Sequence, residues 1–185
     1  MADRGLTGVL LVGGASTRFG SPKALAPFEG ETLADRAWRL LGEACDERIA
    51  VGKREQDLPF PVLDDGTPVR APLAGVVAGL RAAAHETVVV VPVDLPLLSA
   101  DVLLRLAAAG GDVAHPPSGP LPGAYRRSAL GALERSLARG ELALRAAITP
   151  LDVRIVVVDE RLLANVNEPG DLERIRGAST TDPVE

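Results

Sequence analysis

The chain has 185 residues, enough for one domain with a full hydrophobic core, since a domain takes about 150 residues. Its 25 acidic and 20 basic side chains give a net charge of −5, which excludes the basic excess of a free-standing nucleic-acid binder, and three Phe, one Tyr and one Trp are too few for a base-stacking surface. One cysteine and two histidines exclude an intrachain disulfide and a Cys/His zinc site.

Leu6–Val12 is a short apolar run ending in two glycines, the pattern of a strand buried on both faces of a parallel sheet. Gly13–Lys23 follows as a Gly/Ser/Thr loop. Thr32–Ala44 places Leu33, Ala37, Leu40 and Leu41 on one side and predicts a helix with Thr32 as its N-cap. Strands are expected at Arg48–Gly52 and Pro61–Leu63, then a helix at Leu73–Ala84 and the clearest strand at Thr87–Val91. Ser99 is the expected cap of a helix over Ala100–Ala109, followed by a short strand at Asp112–His115. Ala124–Ala138 and Glu141–Ile148 read as helical, Val153–Val158 as the last strand, and Pro169–Ile175 as a short helix with Pro at its first turn. Strand and helix alternation predicts one α/β domain over residues 1–177, a three-layer Rossmann-like fold with a mostly parallel central sheet and helices on both faces; the polar residues 178–185 read as a frayed tail. The apolar run Val9–Val12 is far too short for a signal core or a membrane span, so a cytoplasmic protein without membrane or nucleic-acid partners is expected.

In such sheets ligands bind at the carboxyl ends of the strands. Gly13 onward, Asp64 and Asp65, Asp94, and the Asn165–Asn167 segment all follow predicted strands. The first of these, L11-V-G-G-A-S-T-R-F-G-S-P-K23, combines backbone N–H groups of small residues with the hydroxyls of Ser16 and Thr17 and the cations Arg18 and Lys23. These are the groups a triphosphate needs. The chain holds 18 arginines and two lysines, Lys23 and Lys53, so a lysine in this loop is not filler; it offers phosphate a compact point charge. GxxxxGK[ST] and GxGxxG are both absent, which excludes a P-loop kinase and an ordinary dinucleotide site. Asp94 ends V-V-V-V-P-V-D, a carboxylate fixed at the tip of a buried strand and suited to Mg²⁺, which takes one or two carboxylates plus substrate phosphates. Of Asp64 and Asp65, the spacing to Pro72 favours Asp65. His115 and His85 read as loop and helix-end residues, Cys45 as structural and Trp38 as core or interface. Arg126-Arg127 reads either as a solvated face or as a contact for an anionic cofactor.

LVGGASTRFGSPKAL resembles the signature loop of nucleotidyltransferases that activate sugars and cofactors. With V-L-D-D65, P72-L-A-G75, V-P-V-D94-L-P and N165-V-N167-E-P-G-D-L, the chain is most similar to the molybdenum cofactor guanylyltransferases over nearly its whole length. The resemblance implies Mg²⁺-dependent transfer of GMP from GTP to the terminal phosphate of molybdopterin, with release of pyrophosphate. It implies nucleotide binding by Leu11, Val12, Gly13, Gly14, Ser16, Lys23, Asp65, Pro72, Gly75 and Asp94. Lys23, Arg18 and Asp94 would carry the catalysis and Asp94 the metal, while Asn165 and Asn167 would line the acceptor side. A protein that hands on a labile cofactor is also expected to meet cofactor-handling proteins transiently. Glu168 stands where Thr is frequent in the family, and Gly119-Pro120-Leu121 where His-Pro-Leu is; both departures fall on the acceptor side. The competing readings are a sister enzyme using CTP or another nucleotide with a different acceptor, and a non-catalytic nucleotide-binding protein, which would need neither Lys23 nor Asp94.

Overall fold

Leu6–Leu11 (β1) is buried at every position, and its side chains alternate between two cores. Leu6 and Leu10 enter one core and Val9 and Leu11 the other, the period-2 signature of a strand covered on both faces. The computed structural model describes residues 5–13, 22–53 and 57–179. Within them β1 is an interior strand, third in the order of a seven-stranded sheet. On one side it pairs in parallel with Glu47–Gly52 (β4), which pairs with Val62–Asp64 (β5). On the other side it pairs in parallel with Thr87–Pro92 (β6).

Leu33–Ala44 (α1) connects β1 to β4, and Thr32 caps it as expected: its Oγ1 accepts the Asp35 N–H at 3.0 Å. Ahead of α1, Pro27–Phe28 (β2) and Glu31–Thr32 (β3) form a small hairpin that the sequence reading missed. Its turn has positive φ at Glu29 (51°) and Gly30 (88°), the two-residue type that matches strand twist. Trp38 on α1 stacks on Phe60 at 4.3 Å between centroids, and the Arg48 guanidinium lies 4.7 Å from the Trp38 ring. Pro72–Ala82 (α2) covers the opposite face and packs directly on β1. Its Gly75 and Gly79 permit that approach: a Cβ on either would lie 2.8 Å from Leu11 Cδ2 or 2.7 Å from Val9 Cγ1.

Beyond β6 the sheet continues as Gly123–Arg126 (β8), Val113–His115 (β7) and Val153–Ile155 (β9). β8 corrects the expectation of a helix over Ala124–Ala138. It is a strand antiparallel to both β6 and β7, and only Leu130–Ala138 (α4) is α-helical, after a 3₁₀ turn at Arg127–Ala129. Four residues carry too little periodicity to declare a strand, and their hydrogen-bond partners lie far away in sequence: Tyr125 pairs with Val88 and with Val113. Ala100–Ala108 (α3) starts after Ser99, whose side chain makes no capping bond, contrary to expectation. Leu144–Ala147 (α5) is shorter than predicted and Pro169–Ser179 (α6) is longer. The helices α1, α3 and α6 line one face of the sheet, and α2, α4 and α5 the other, giving the three-layer α/β arrangement expected.

His115 ends β7 and is buried, its Nδ1 2.7 Å from the Pro116 carbonyl oxygen. His85 lies beyond the end of α2 with its Nδ1 3.0 Å from Thr7 Oγ1. No described helix is long and apolar enough to cross a membrane.

Candidate functional site

β1 holds its neighbours to its very end. The Val12 N–H donates to the Val51 carbonyl at 3.0 Å, and the Val93 N–H to the Leu11 carbonyl at 3.2 Å. The chain then leaves the sheet at Gly13, which sits against Gly52: a Cβ on Gly52 would come within 2.9 Å of the Gly13 nitrogen. Two bare backbones therefore meet at the carboxyl end of the central strands, where a ligand can approach them closely. A cleft of about 390 Å³ opens at this point, within the range of small-molecule sites.

Leu11, Val12, Gly13, Lys23, Asp65, Pro72, Gly75 and Asp94 all line it. Eight of the residues singled out in the sequence thus come together from β1 and the segments after it, β5, β6 and α2. Gly14, Ser16 and Arg18 lie outside the described residues. The cleft also takes in Lys53, Arg70 and Leu121, which the sequence reading did not assign. Lys53 did carry a signal. It is the second of the chain's two lysines and follows a strand, the two features that marked Lys23.

Both lysines meet an aspartate. Lys23 Nζ lies 3.2 Å from Asp94 Oδ2, the side chains 17% and 21% exposed. Lys53 pairs with Asp65 Oδ1 and donates to the Thr67 carbonyl; its side chain is 19% exposed and that of Asp65 9%. Asp64 turns elsewhere: it is exposed, and its Oδ1 accepts the Gly66 N–H at 2.8 Å. Lys23, Lys53 and Arg70 against Asp65 and Asp94 give the cleft more cationic than acidic groups, in a chain whose net charge is −5. That balance suits a polyanion. Asp94 fits a divalent ion shared with a phosphate ligand, since its carboxylate faces the cleft and, among the described residues, no group of three or more His, Cys, Asp or Glu side chains forms a protein cage.

Asn165 and Asn167 are exposed and do not line the cleft. The buried Val166 between them donates its N–H to the Asp94 carbonyl at 2.9 Å, so their segment is fastened to the Asp94 loop. Asp171 braces it from α6. Its Oδ2 accepts the N–H groups of Asn167 at 2.7 Å and Glu168 at 2.9 Å, the reach-back half of a capping box. Those two N–H groups, with Arg174 beyond them, hold the Asp171 carboxyl below the usual range. Arg126 and Arg127 go to the other end of the molecule. Arg126 pairs with Thr87 at the start of β6, and Arg127 Nη1 bonds the Ala83 carbonyl at 3.3 Å. The reversed direction of β8 removes them from the cleft, which overturns the cofactor-contact reading of that pair.

Residues 8–155 match the MobA-like NTP transferase domain model. A Chloroflexus aggregans protein curated as "probable molybdenum cofactor guanylyltransferase" is 33% identical over 92% of this chain and 93% of its own length. A Deinococcus radiodurans protein of the same name is 36% identical over 93% of this chain and 94% of its own. In fold, the chain is similar to molybdopterin-guanine dinucleotide biosynthesis protein A of Archaeoglobus fulgidus, with a TM-score of 0.80, 23% identity, and 95% and 100% of the two chains covered.

Proposed function

The chain belongs to the MobA-like NTP transferase family, and we propose on that premise that it transfers GMP from GTP to the terminal phosphate of molybdopterin, releasing pyrophosphate and forming the guanine dinucleotide cofactor. The observation that carries this reading is the placement of both lysines in one cleft, each beside an aspartate from the carboxyl end of the sheet.

In the reaction an oxygen of the acceptor phosphate forms a bond to the α-phosphorus of GTP. The bond from the α-phosphorus to the bridging oxygen breaks, and its electron pair leaves with pyrophosphate. The attacking phosphate is already ionised near neutral pH, so the protein need not supply a general base. It supplies alignment and charge. Lys23, held beside the cleft by the 3₁₀ turn Lys23–Leu25, neutralises the charge that grows on the leaving group, with Arg18 assisting. The backbone from Leu11 through Gly14 and the hydroxyl of Ser16 hold the nucleotide, with Pro72–Gly75 against the base. Asp94 would hold Mg²⁺, which when bound offsets the negative charge of the phosphates. Lys23 must then exchange its Asp94 contact for phosphate. Asn165 and Asn167 face the acceptor, their segment tied to the Asp94 loop through Val166. The reaction is placed in the cytoplasm, where transient docking to cofactor-handling proteins would follow it.

Pyrophosphate release from GTP, CTP, ATP and UTP, with and without Mg²⁺ and molybdopterin, tests the reading. Release only with GTP, Mg²⁺ and molybdopterin together is expected. Release with CTP instead moves the protein to a sister activity, and no release with any nucleotide overturns catalysis by this chain.

A further inference from the structure

The cleft has two charged ends. Asp94 follows β6 and Asp65 follows β5, three strand spacings apart in the order β5-β4-β1-β6, which is about 14 Å at about 4.8 Å per strand. With the triphosphate at the Lys23–Asp94 end, the Lys53–Asp65 pair lies at the opposite end, beside the start of α2. A partly buried ion pair, its side chains 19% and 9% exposed, is a weak stabiliser, because desolvation offsets much of the attraction. Its place inside a ligand cleft gives it another purpose.

The hydrogen-bond count shows which groups the pair has left to offer. The Lys53 ammonium has three N–H donors. Asp65 Oδ1 and the Thr67 carbonyl take two of them. Asp65 Oδ1 also accepts the Thr67 N–H at 3.1 Å, which fixes the carboxylate in its turn. Among the described residues this leaves one ammonium donor and the second carboxylate oxygen, side by side. A purine with an acceptor next to a donor on its pairing edge is the complement. Guanine has that order, with O6 beside N1–H and the 2-amino group, whereas adenine and cytosine present an amino donor beside a ring-nitrogen acceptor, the reverse order.

Resting on the GTP reading above, we infer that Lys53 and Asp65 are the specificity-determining pair: Asp65 accepts N1–H and the 2-amino group, and Lys53 donates to O6. Lys53 retains its contact with Asp65 throughout, so the pair is set before the base arrives. With ribose and phosphates holding the base in guanine's orientation, adenine would set its 6-amino donor against the Lys53 ammonium and its N1 acceptor against the Asp65 carboxylate.

Binding of GTP, ITP, XTP, 2′-deoxy-GTP and ATP, each with Mg²⁺, to the wild type and to Lys53→Met and Asp65→Asn, is the test. In the wild type, ITP, which lacks the 2-amino group, should bind more weakly than GTP, while 2′-deoxy-GTP binds as GTP does. Lys53→Met should weaken GTP by about 10- to 100-fold, the range for a charged hydrogen bond, and narrow the GTP-over-ATP ratio. Asp65→Asn should reverse the order of GTP and XTP, because an amide donates to the 2-oxo group of xanthine. Loss of 2′-deoxy-GTP binding with ITP equal to GTP would place Asp65 on the ribose and overturn the assignment. An unchanged GTP-over-ATP ratio in Lys53→Met overturns it as well, and it leaves the transferase reading intact so long as the wild type binds GTP. Should either variant fail to fold, the wild-type ligand series decides on its own.

Discussion

The half of the sheet made by β5, β4, β1 and β6 is wholly parallel, whereas the half made by β8, β7 and β9 contains a strand running the other way. Every charged group that lines the cleft comes from segments of the first half; the second contributes Leu121. Parallel strands bring all their carboxyl ends to one side, so the residues that follow them converge without further design. Reversing one strand sends its exit to the far side, as Arg126 beside Thr87 demonstrates. Chemistry therefore concentrates in one half, and the other acts mainly through packing: Tyr125 is fully buried at the middle of the reversed strand, and its hydroxyl donates to the Pro120 carbonyl at 2.6 Å.

This division can be broken most sharply by exchanging the type of damage. Asp94→Ala should lower kcat for pyrophosphate release by about 10²–10³-fold, the range for a lost charge-stabilising group, with a melting temperature within about 4 °C of wild type. Near-normal turnover would remove Asp94 from the metal site. Tyr125→Ala should do the reverse. Loss of a buried aromatic side chain costs about 3–5 kcal/mol, which lowers the melting temperature by about 10 °C. GTP affinity of the protein still folded at low temperature should be unchanged; a matching loss of affinity would mean that the halves are not separable. Lys23→Ala is a finer probe, expected to reduce kcat more than it raises the KM for GTP. A change in KM alone would restrict Lys23 to ground-state binding.

The smallest effect concerns acid. Asp112, just before β7, accepts the Ser128 hydroxyl at 2.7 Å and the Asp152 N–H at 3.1 Å, joining the segments around β8 and β9. These bonds, the Ser128 contact foremost, hold its carboxyl below the usual carboxylate range. A carboxyl lowered in the folded state stabilises above its ordinary value, and that contribution disappears as pH falls through the folded value. Asp112→Asn should therefore have a lower denaturation midpoint than wild type at neutral pH and converge with it in acid. A gap that persists unchanged at low pH would show that ionisation is not its source.

The same division decides what the sequence made legible. β1, β4 and β6 each run for six residues, and the apolar stretches within them, longest in β1 and β6, announce a buried strand locally. β8 has four residues, and its Tyr125 is defined by partners 37 positions away at Val88 and 12 away at Val113, so nothing nearby marks it. Lys23 and Asp94 were readable because each closes a distinctive string. Asp65 stood out from Asp64 only by spacing, and its side chain is separated from its neighbour's by which one turns toward Lys53. Lys53 was visible as a rarity and yet unassigned, since its role depends on β4 and β5 lying side by side.

The Trp38–Phe60 stack has a spectroscopic consequence. Trp38 is the only indole in the chain, it sits on α1, and the ring and cation around it come from Phe60, just ahead of β5, and from Arg48 in β4. The protein thus carries a native optical label on its parallel half alone. Tryptophan emission follows the environment of the nucleotide side, while circular dichroism averages over the whole backbone. A melt in which the two signals coincide would establish that the reversed strand and the parallel strands, unlike as they are in composition and purpose, open as one cooperative unit.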